Sequence, residues 1–284
     1  MPDRTKVIPP NERERLRALE SYEILNSLRE DEFDRITELA TLLCGTPISL
    51  ITLLDEKRQW FKSKVGVDID ETPRELAFCQ YTIMQNELFE VEDATQDERF
   101  KDNEFVTGPP DIRFYAGFPL TDASGYNLGT ICVIDRKPRN LTASQKKALA
   151  LLAKEVIALI RERRQKQELQ HFESLFKLSP DLICIAGLDG YFRKINPAFQ
   201  QLLGIDKQQL LNTSFYDFVH PDDLPAAIRE IAHIEAGKQV LNFVARIRSA
   251  SLGYRSIAWA ASPEKGTGNL FAVGRQRDQA ESIL

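Results

Sequence analysis

Apolar positions recur at helical spacing in two segments near the start of the chain. Asn11–Leu25 carries Leu16, Leu19, Ile24 and Leu25 as a rough stripe behind Pro9 and Pro10, the usual setting of a helix start. Asp31–Cys44 repeats Phe33, Ile36, Leu39, Ala40 and Leu43, and Gly45 follows where a C-terminal cap is expected. The period then changes to two. Ile48–Leu54 is an unbroken apolar run, as in a strand buried on both faces, whereas Gln59–Val67 alternates like a strand with one solvated face. Glu87–Asp93 alternates too, with Phe89 and Val91 on one side. A short helix is expected around Arg74–Met84 and loops between Ala94 and Asp111. Arg113–Thr121 and Leu128–Asp135 flank Ser124–Gly125, a hairpin signal.

From Leu141 to Leu178 the chain holds neither Gly nor Pro. Thr142 or Ser144 can cap a long helix there, and Ser179–Pro180 ends it. Leu149, Leu152, Val156 and Leu159 follow a/d spacing; Leu169, Phe172 and Phe176 resume it one position out of phase, after the polar interval Arg161–Glu168. The pattern predicts a connector helix that pairs two copies of the chain, the alternative being two helices with a bend at the polar interval. On the pairing reading, charges at Leu152, Val156 and Leu159 leave folded monomers.

Beyond the connector, two strand-like runs in Asp181–Asn196 surround Asp189–Gly190, another hairpin signal. Short helices are expected at Pro197–Leu203 and Lys207–Leu211 and a longer one at Pro225–Ala236, with Asp222 or Asp223 as cap. Three strands follow. Leu241, Phe243, Ala245 and Ile247 would share a face of the first, and Ile257, Trp259 and Ala261 a face of the second. The fold class expected is α+β, two domains joined by a long helix, each an antiparallel sheet flanked by helices, with a boundary between residues 163 and 164.

Composition narrows the function. The 284 residues include 37 Lys+Arg and 42 Asp+Glu, a net charge of −5 that argues against a general nucleic-acid or anionic-membrane binder. No apolar run reaches the roughly 18–20 residues of a membrane span, and the first residues lack the apolar core of a secretory signal. Cys44, Cys79, Cys132 and Cys184 form no paired motif, which argues against a disulfide framework or a metal site and favours reduced thiols in a cytoplasm.

Blocks of both halves are familiar. Residues 11–163 resemble a GAF domain of the bacterial signalling type through FDRITELA (Phe33–Ala40), PISLITLLDEKRQWFKSKVG (Pro47–Gly66), FCQYTI (Phe78–Ile83), DERF (Asp97–Phe100), FYAGFPL (Phe114–Leu120) and GTICVID (Gly129–Asp135). Residues 172–275 resemble a PAS domain through LSPDLICI (Leu178–Ile185), LDGYFRKIN (Leu188–Asn196), NPAFQQLLG (Asn196–Gly204) and VHPDD (Val219–Asp223). The resemblance implies a cytoplasmic signal-input module of the kind that sits upstream of a histidine kinase or a cyclic di-GMP synthase. The expected role is the regulatory part of a sensor histidine kinase, relaying a small-molecule or redox signal through the dimeric connector helix, with no catalytic domain in this chain. No kinase or cyclase motif precedes Leu284, so a fragment of a longer sensor is expected. The exit Gly274–Leu284, with Asp278, departs from the usual PAS exit.

Candidate ligand-pocket residues are Trp60, Phe61, Arg74, Phe78, Cys79, Tyr81, Phe114, Tyr115 and Phe118; plain core packing is the alternative. Cys79 stands where bilin-binding relatives attach a chromophore, but Gln80 replaces the usual histidine. Arg74, five residues before Cys79, keeps a redox-active thiol in play. Arg113 alone is a weak cyclic-nucleotide signal. His233 is a candidate haem ligand and His220 a local hydrogen-bonding group, and the flavin-photosensor cysteine motif is missing. Bilin, haem and flavin are each disfavoured, so the cofactor stays unassigned and a small-molecule ligand is expected. The alternatives are a ligand-free scaffold that binds a partner and an enzyme like the free methionine sulfoxide reductases, whose cysteine cluster Cys44, Cys79 and Cys132 do not reproduce.

Overall fold

The structure is a computed structural model that describes residues 7–251 and 253–277. The chain divides into two compact units, Met1–Gln167 and Glu168–Leu284, a division about one helical turn past the expected boundary. The unusual exit beyond Arg277, with Asp278, lies outside the described residues.

The first unit opens with helices α1 (Glu12–Ser21) and α2 (Asp31–Cys44), α2 ending on Gly45 in the left-handed conformation. A six-stranded antiparallel sheet follows, built from β1 (Ile48–Leu54), β2 (Arg58–Val65), β3 (Glu71–Pro73), β4 (Phe89–Val91), β5 (Phe114–Thr121) and β6 (Asn127–Asp135) in the order β3-β2-β1-β6-β5-β4. All seven residues of β1 and all nine of β6 are buried, as the unbroken apolar run of β1 requires. The expected helix at Arg74–Met84 is instead a 3₁₀ turn, Arg74–Leu76, and a short helix α3 (Cys79–Thr82); α4 (Glu104–Thr107) stands in the expected loop.

Strand β2 has no solvated face. Lys62 reads as polar but its side chain is 0% exposed, donating to Glu30 at 2.8 Å and lying over the Phe33 ring. The β1–β2 register slips at Lys62, so Ser63 turns to the same side and meets Thr37 at 2.7 Å, and α2 covers both residues. Within α2 the buried set is Phe33, Ile36, Thr37, Ala40 and Cys44, while Leu39 and Leu43 of the expected stripe are exposed.

Helix α5 (Ala143–Leu178) is one continuous helix of 36 residues rather than two. A reciprocal cap starts it: the Gln145 amide donates to Thr142 Oγ1, and the Thr142 amide donates to Gln145 Oε1. Leu149 and Val156 are buried in the core of the first unit with Ala153 and Ile160, and Leu152 and Leu159 pack against the same cluster. These four are thus not a free seam between copies, because the sheet of their own unit needs them as cover. Leu169 and Phe172 are exposed at 61% and 58%, whereas Phe176 is buried and stacks on Phe172. Twenty residues at about 100° each turn Leu169 to the opposite side of the helix from Leu149.

The second unit packs α6 (Ala198–Leu203), α7 (Lys207–Asn212) and α8 (Leu224–Glu235) with an antiparallel sheet of β7 (Leu182–Gly187), β8 (Phe192–Ile195), β9 (Val240–Ser249), β10 (Gly253–Pro263) and β11 (Asn269–Gln276), ordered β8-β7-β11-β10-β9. The β7–β8 turn holds Gly190 at φ 90°, a conformation costly for residues with a side chain. Leu241 is not core: at 73% exposure it yields its place to Val240, because Asn242 takes a positive φ and the β9–β10 register slips there.

Buried charge ties the first unit together. Arg15, 1% exposed, donates from Nη2 to Leu54 O at 2.7 Å and grips Glu12 through two bonds of 2.7 and 2.8 Å. Glu12 also accepts from Arg74, so one carboxylate joins α1 to the turn after β3. Burial works against its charge, but the two guanidinium groups outweigh that and hold the Glu12 carboxyl below its ordinary range. Glu12→Gln is expected to cost about 3–5 kcal/mol near neutral pH, because it strands buried guanidinium groups. With its folded pKa depressed, the Glu12 contribution is complete above the unfolded carboxylate range, about pH 4.3, and is lost as pH falls through the folded value. Urea unfolding near pH 7 and near pH 3 should therefore show a gap that narrows in acid. A charge at Leu149 or Val156 is expected to unfold the first unit rather than yield a folded monomer, which circular dichroism on Val156→Asp checks.

Candidate functional site

Two cavities bear on function. The first, about 50 Å³, lies in the first unit on the sheet face away from α5 and is lined by Phe61, Phe78, Cys79, Phe105, Ile112 and Tyr115 among others. Gln59 and Thr72, paired across β2 and β3, also line it. Gln59 Oε1 and Thr72 Oγ1 are buried there with no hydrogen-bond partner among the described residues. Such a space suits a few waters, which those two oxygens would hold.

Of the residues singled out from sequence, Phe61, Phe78, Cys79 and Tyr115 line this cavity. Trp60 and Phe114 lie instead in the cluster on the opposite sheet face, with Phe118 against it. The cause is strand alternation: each of Trp60 and Phe114 precedes a cavity residue by one and therefore points the other way. Tyr81 packs edge-on against Phe100 at 5.0 Å, and Arg74 is taken up by Glu12 and by Asp55 O at 2.8 Å. The phenol of Tyr115 enters space that Gly117 leaves open, since a Cβ there would meet the hydroxyl at 2.2 Å.

Cys79 anchors a buried polar network. Thr130 Oγ1 donates to its sulfur at 3.1 Å, Tyr115 OH at 3.3 Å and Thr52 Oγ1 at 3.6 Å, while Thr82 and Tyr115 share a further bond of 2.8 Å. Burial raises the cost of a thiolate, but hydrogen bonds from Cys132, Thr130, Tyr115 and Thr52 outweigh it and bring Cys79 down to about 7. Burial, then the Cys79 charge, push Cys132 and Tyr115 the other way, so only one of the two thiols ionises readily. The arrangement stabilises a thiolate; its burial keeps that thiolate from bulk solvent.

The second cavity, about 110 Å³, lies inside the second unit and was missed in the sequence. Phe192 from β8, Phe199 from α6, Phe215 and Phe218 from a 3₁₀ turn, and Phe243 and Trp259 from the sheet supply its aromatic walls. Phe192 meets Phe199 edge-on at 5.2 Å and Phe215 at 5.6 Å. Helix α8 adds Ala227, Glu230, Ile231 and Ile234, one face at helical spacing. Among the described residues, Glu230 is the one charged side chain in the lining. The available signal was a density of Phe in short segments between Phe192 and Phe218, which only the fold gathers. Cys184 lines this cavity, and burial pushes its thiol up to about 12, so it behaves as an apolar wall.

The remaining candidates have local roles. His220 Nδ1 accepts from the Asp222 amide at 3.2 Å, and His233 is exposed beside Glu230 at 3.4 Å. Asp223 makes no side-chain cap for α8; it binds Arg246 of β9, whose guanidinium holds its carboxyl at about 2. Arg113 donates to Val106 O at 2.8 Å. Among the described residues no cluster of His, Cys, Asp and Glu is arranged for a metal ion, and no helix is long and apolar enough to cross a membrane.

The GAF domain family model matches residues 29–160 and the PAS fold model residues 192–271. A cyclic di-GMP phosphodiesterase of Pseudomonas aeruginosa is 37% identical over 235 residues, 75% of this chain and 40% of that protein. The white collar 1 protein of Neurospora crassa is 31% identical over 110 residues, 36% of this chain and 9% of that protein. The chain thus spans less than half the length of these curated relatives. Among solved structures, the GAF domain of an Acinetobacter phosphoenolpyruvate-protein phosphotransferase superimposes with a TM-score of 0.40 at 18% identity, over 55% of this chain and 95% of that one. The PAS domain of an HTR-like protein from Haloarcula marismortui gives 0.37 at 22% identity, over 41% of this chain and 98% of that one.

Removing one donor from the thiol network tests its electrostatics. Thr130→Val is expected to raise the Cys79 pKa well above 7, read from the pH dependence of ultraviolet thiolate absorbance, with the fold retained.

Proposed function

We propose that this chain, a GAF domain followed by a PAS domain in the manner of bacterial signalling proteins, is a sensory module that binds a small ligand in the PAS cavity and passes its occupancy along α5 in a homodimer. The observation that carries this reading is the cavity of about 110 Å³ in a unit whose entering helix keeps an apolar stripe exposed. The GAF cavity has less than half that volume and a tightly packed aromatic wall, with Phe78 and Phe100 stacked at 3.9 Å. The GAF unit therefore acts mainly as the support on which the first half of α5 is fixed.

Pairing of two copies is supported by two surfaces of the second unit. On α5, Leu169, Phe172 and Leu175 are exposed. On the sheet, Phe271 and Val273 of β11 stand beside Ile185 and Ile183 of β7 and are exposed as well. Apolar surface of this kind marks an interaction face. The relative at 37% identity is named for cyclic di-GMP hydrolysis, which favours an enzyme of cyclic di-GMP turnover, rather than a histidine kinase, as the output. A cytoplasmic location is the setting in which such an output works.

Because Leu169 and Leu175 are exposed, Leu169→Glu/Leu175→Glu is expected to keep the thermal unfolding midpoint of the parent while turning a dimer into a monomer. Sedimentation of both proteins checks it. A parent chain that stays monomeric at about 100 μM, or a variant that still dimerises, overturns the pairing.

A further inference from the structure

We infer that the PAS cavity selects small apolar ligands with a cationic or neutral head, an amine or an alcohol, and rejects carboxylates and phosphates, with Glu230 as the selecting residue. The inference rests on the ligand-sensing reading above and adds the chemistry of the ligand.

The lining decides this by what it offers and what it lacks. Twenty of its twenty-one residues carry apolar side chains or, for Cys184, a thiol kept neutral by burial. Among the described residues, no Arg, Lys, His, Ser, Thr, Asn or Gln lines it. A buried anion needs hydrogen-bond donors or a countercharge, and without them its transfer from water costs several kcal/mol. Of the unit's arginines, Arg246 is paired with Asp222 and Asp223 and Arg193 with Asp189, while Arg248 lies over the ring of Phe218, 5.6 Å from its centroid, and is not itself part of the lining. His233 Nδ1 approaches Glu230 Oε2 from the adjacent turn of α8 at 3.4 Å, and its ring is mostly exposed.

Glu230 sits on the cavity-facing side of α8 with Ala227, Ile231 and Ile234, and its side chain is 32% exposed. A carboxylate at the edge of an apolar chamber repels an anionic head and accepts a charge-assisted hydrogen bond from an ammonium. A volume of about 110 Å³ suits a single aromatic ring or a short alkyl chain. The favoured guest is thus a ring or short chain buried among Phe192, Phe199 and Trp259, its polar end at Glu230.

Isothermal titration of the full chain with phenethylamine, 2-phenylethanol and phenylacetate, which differ mainly in the head, tests this. The amine is expected to bind tightest and phenylacetate at least about tenfold more weakly than the alcohol. Glu230→Gln should leave the alcohol unchanged, remove the amine's advantage and narrow the gap to phenylacetate. Ala227→Phe or Ala261→Leu, which fill the chamber, should weaken all three. Phenylacetate binding as well as the alcohol, or amine binding unmoved by Glu230→Gln, overturns the selectivity and leaves ligand sensing standing. No binding by any probe, or binding unaffected by both filling variants, overturns the cavity as the input site and the inference with it.

Discussion

The two central strands of the GAF sheet show no face to solvent, and that single constraint organises the first unit. A sheet buried on both sides must be covered twice. One cover consists of α1, α2 and the first half of α5, whose Leu19, Phe33, Ile36, Leu149 and Val156 share a cluster with Ile51 and Ile131. The other is the irregular chain between β2 and β5, which brings Phe78, Phe89, Phe100 and Ile112 against Leu50 and Cys132. Irregular backbone packs less evenly than a helix, which accounts for a cavity and a buried hydroxyl–thiol network on that side. The Arg15–Glu12–Arg74 group then fastens the helical cover to the irregular one. Its worth lies in geometry, since removing Glu12 leaves two buried guanidinium groups with only carbonyl oxygens and no countercharge.

Local patterns made much of the fold legible. The bounds of α2 and β1 follow from periodicity alone, and both hairpin turns fall where Ser124–Gly125 and Asp189–Gly190 place them. Faces were harder. Alternation tells that Trp60 and Phe61 point apart, but not which of them meets a cavity, because that depends on what covers each side. Lys62 shows the same limit, since its alkyl stem and a partner such as Glu30 let a charged residue serve as core. Leu241 failed for a different reason: one residue at positive φ, Asn242, shifts the pattern by one, and no periodicity argument foresees a bulge.

The PAS cavity was illegible because its walls come from all five strands β7 to β11, from α6, α7 and α8 and from a 3₁₀ turn, each contributing one to four residues. A search for cofactor signatures looks for clustered polar ligands, and this chamber is defined by their scarcity. Its single carboxylate, Glu230, reads in sequence as an ordinary solvated helix position. The GAF aromatics drew attention for the opposite reason: they are adjacent in sequence, yet most of them fill a core.

Helix α5 carries the remaining argument. Its apolar residues face the GAF core in the first half and lie on the opposite side by Leu169, so the helix as a whole has no single stripe. The polar interval between them is not uniformly free to move. Arg163 binds Glu30 at 2.8 Å and Glu23 O at 3.0 Å, and Arg164 binds Glu23 at 2.6 Å, which fastens the helix to the segment around α1 and α2. On the relay proposed above, a change travelling along α5 would have its fixed end at Arg164, and residues from Gln165 onward would be where two arrangements differ. For a ligand to drive such a helix from one arrangement to the other, from 1:99 to 99:1, it must favour one by about 5.5 kcal/mol. Burial of one aromatic ring is worth roughly half of that in total, and only the part that differs between the two arrangements counts toward the shift. On the pairing proposed above, the exposed face at Leu169, Phe172 and Leu175 would supply the remainder, so ligand and second copy would act on the same stretch of helix.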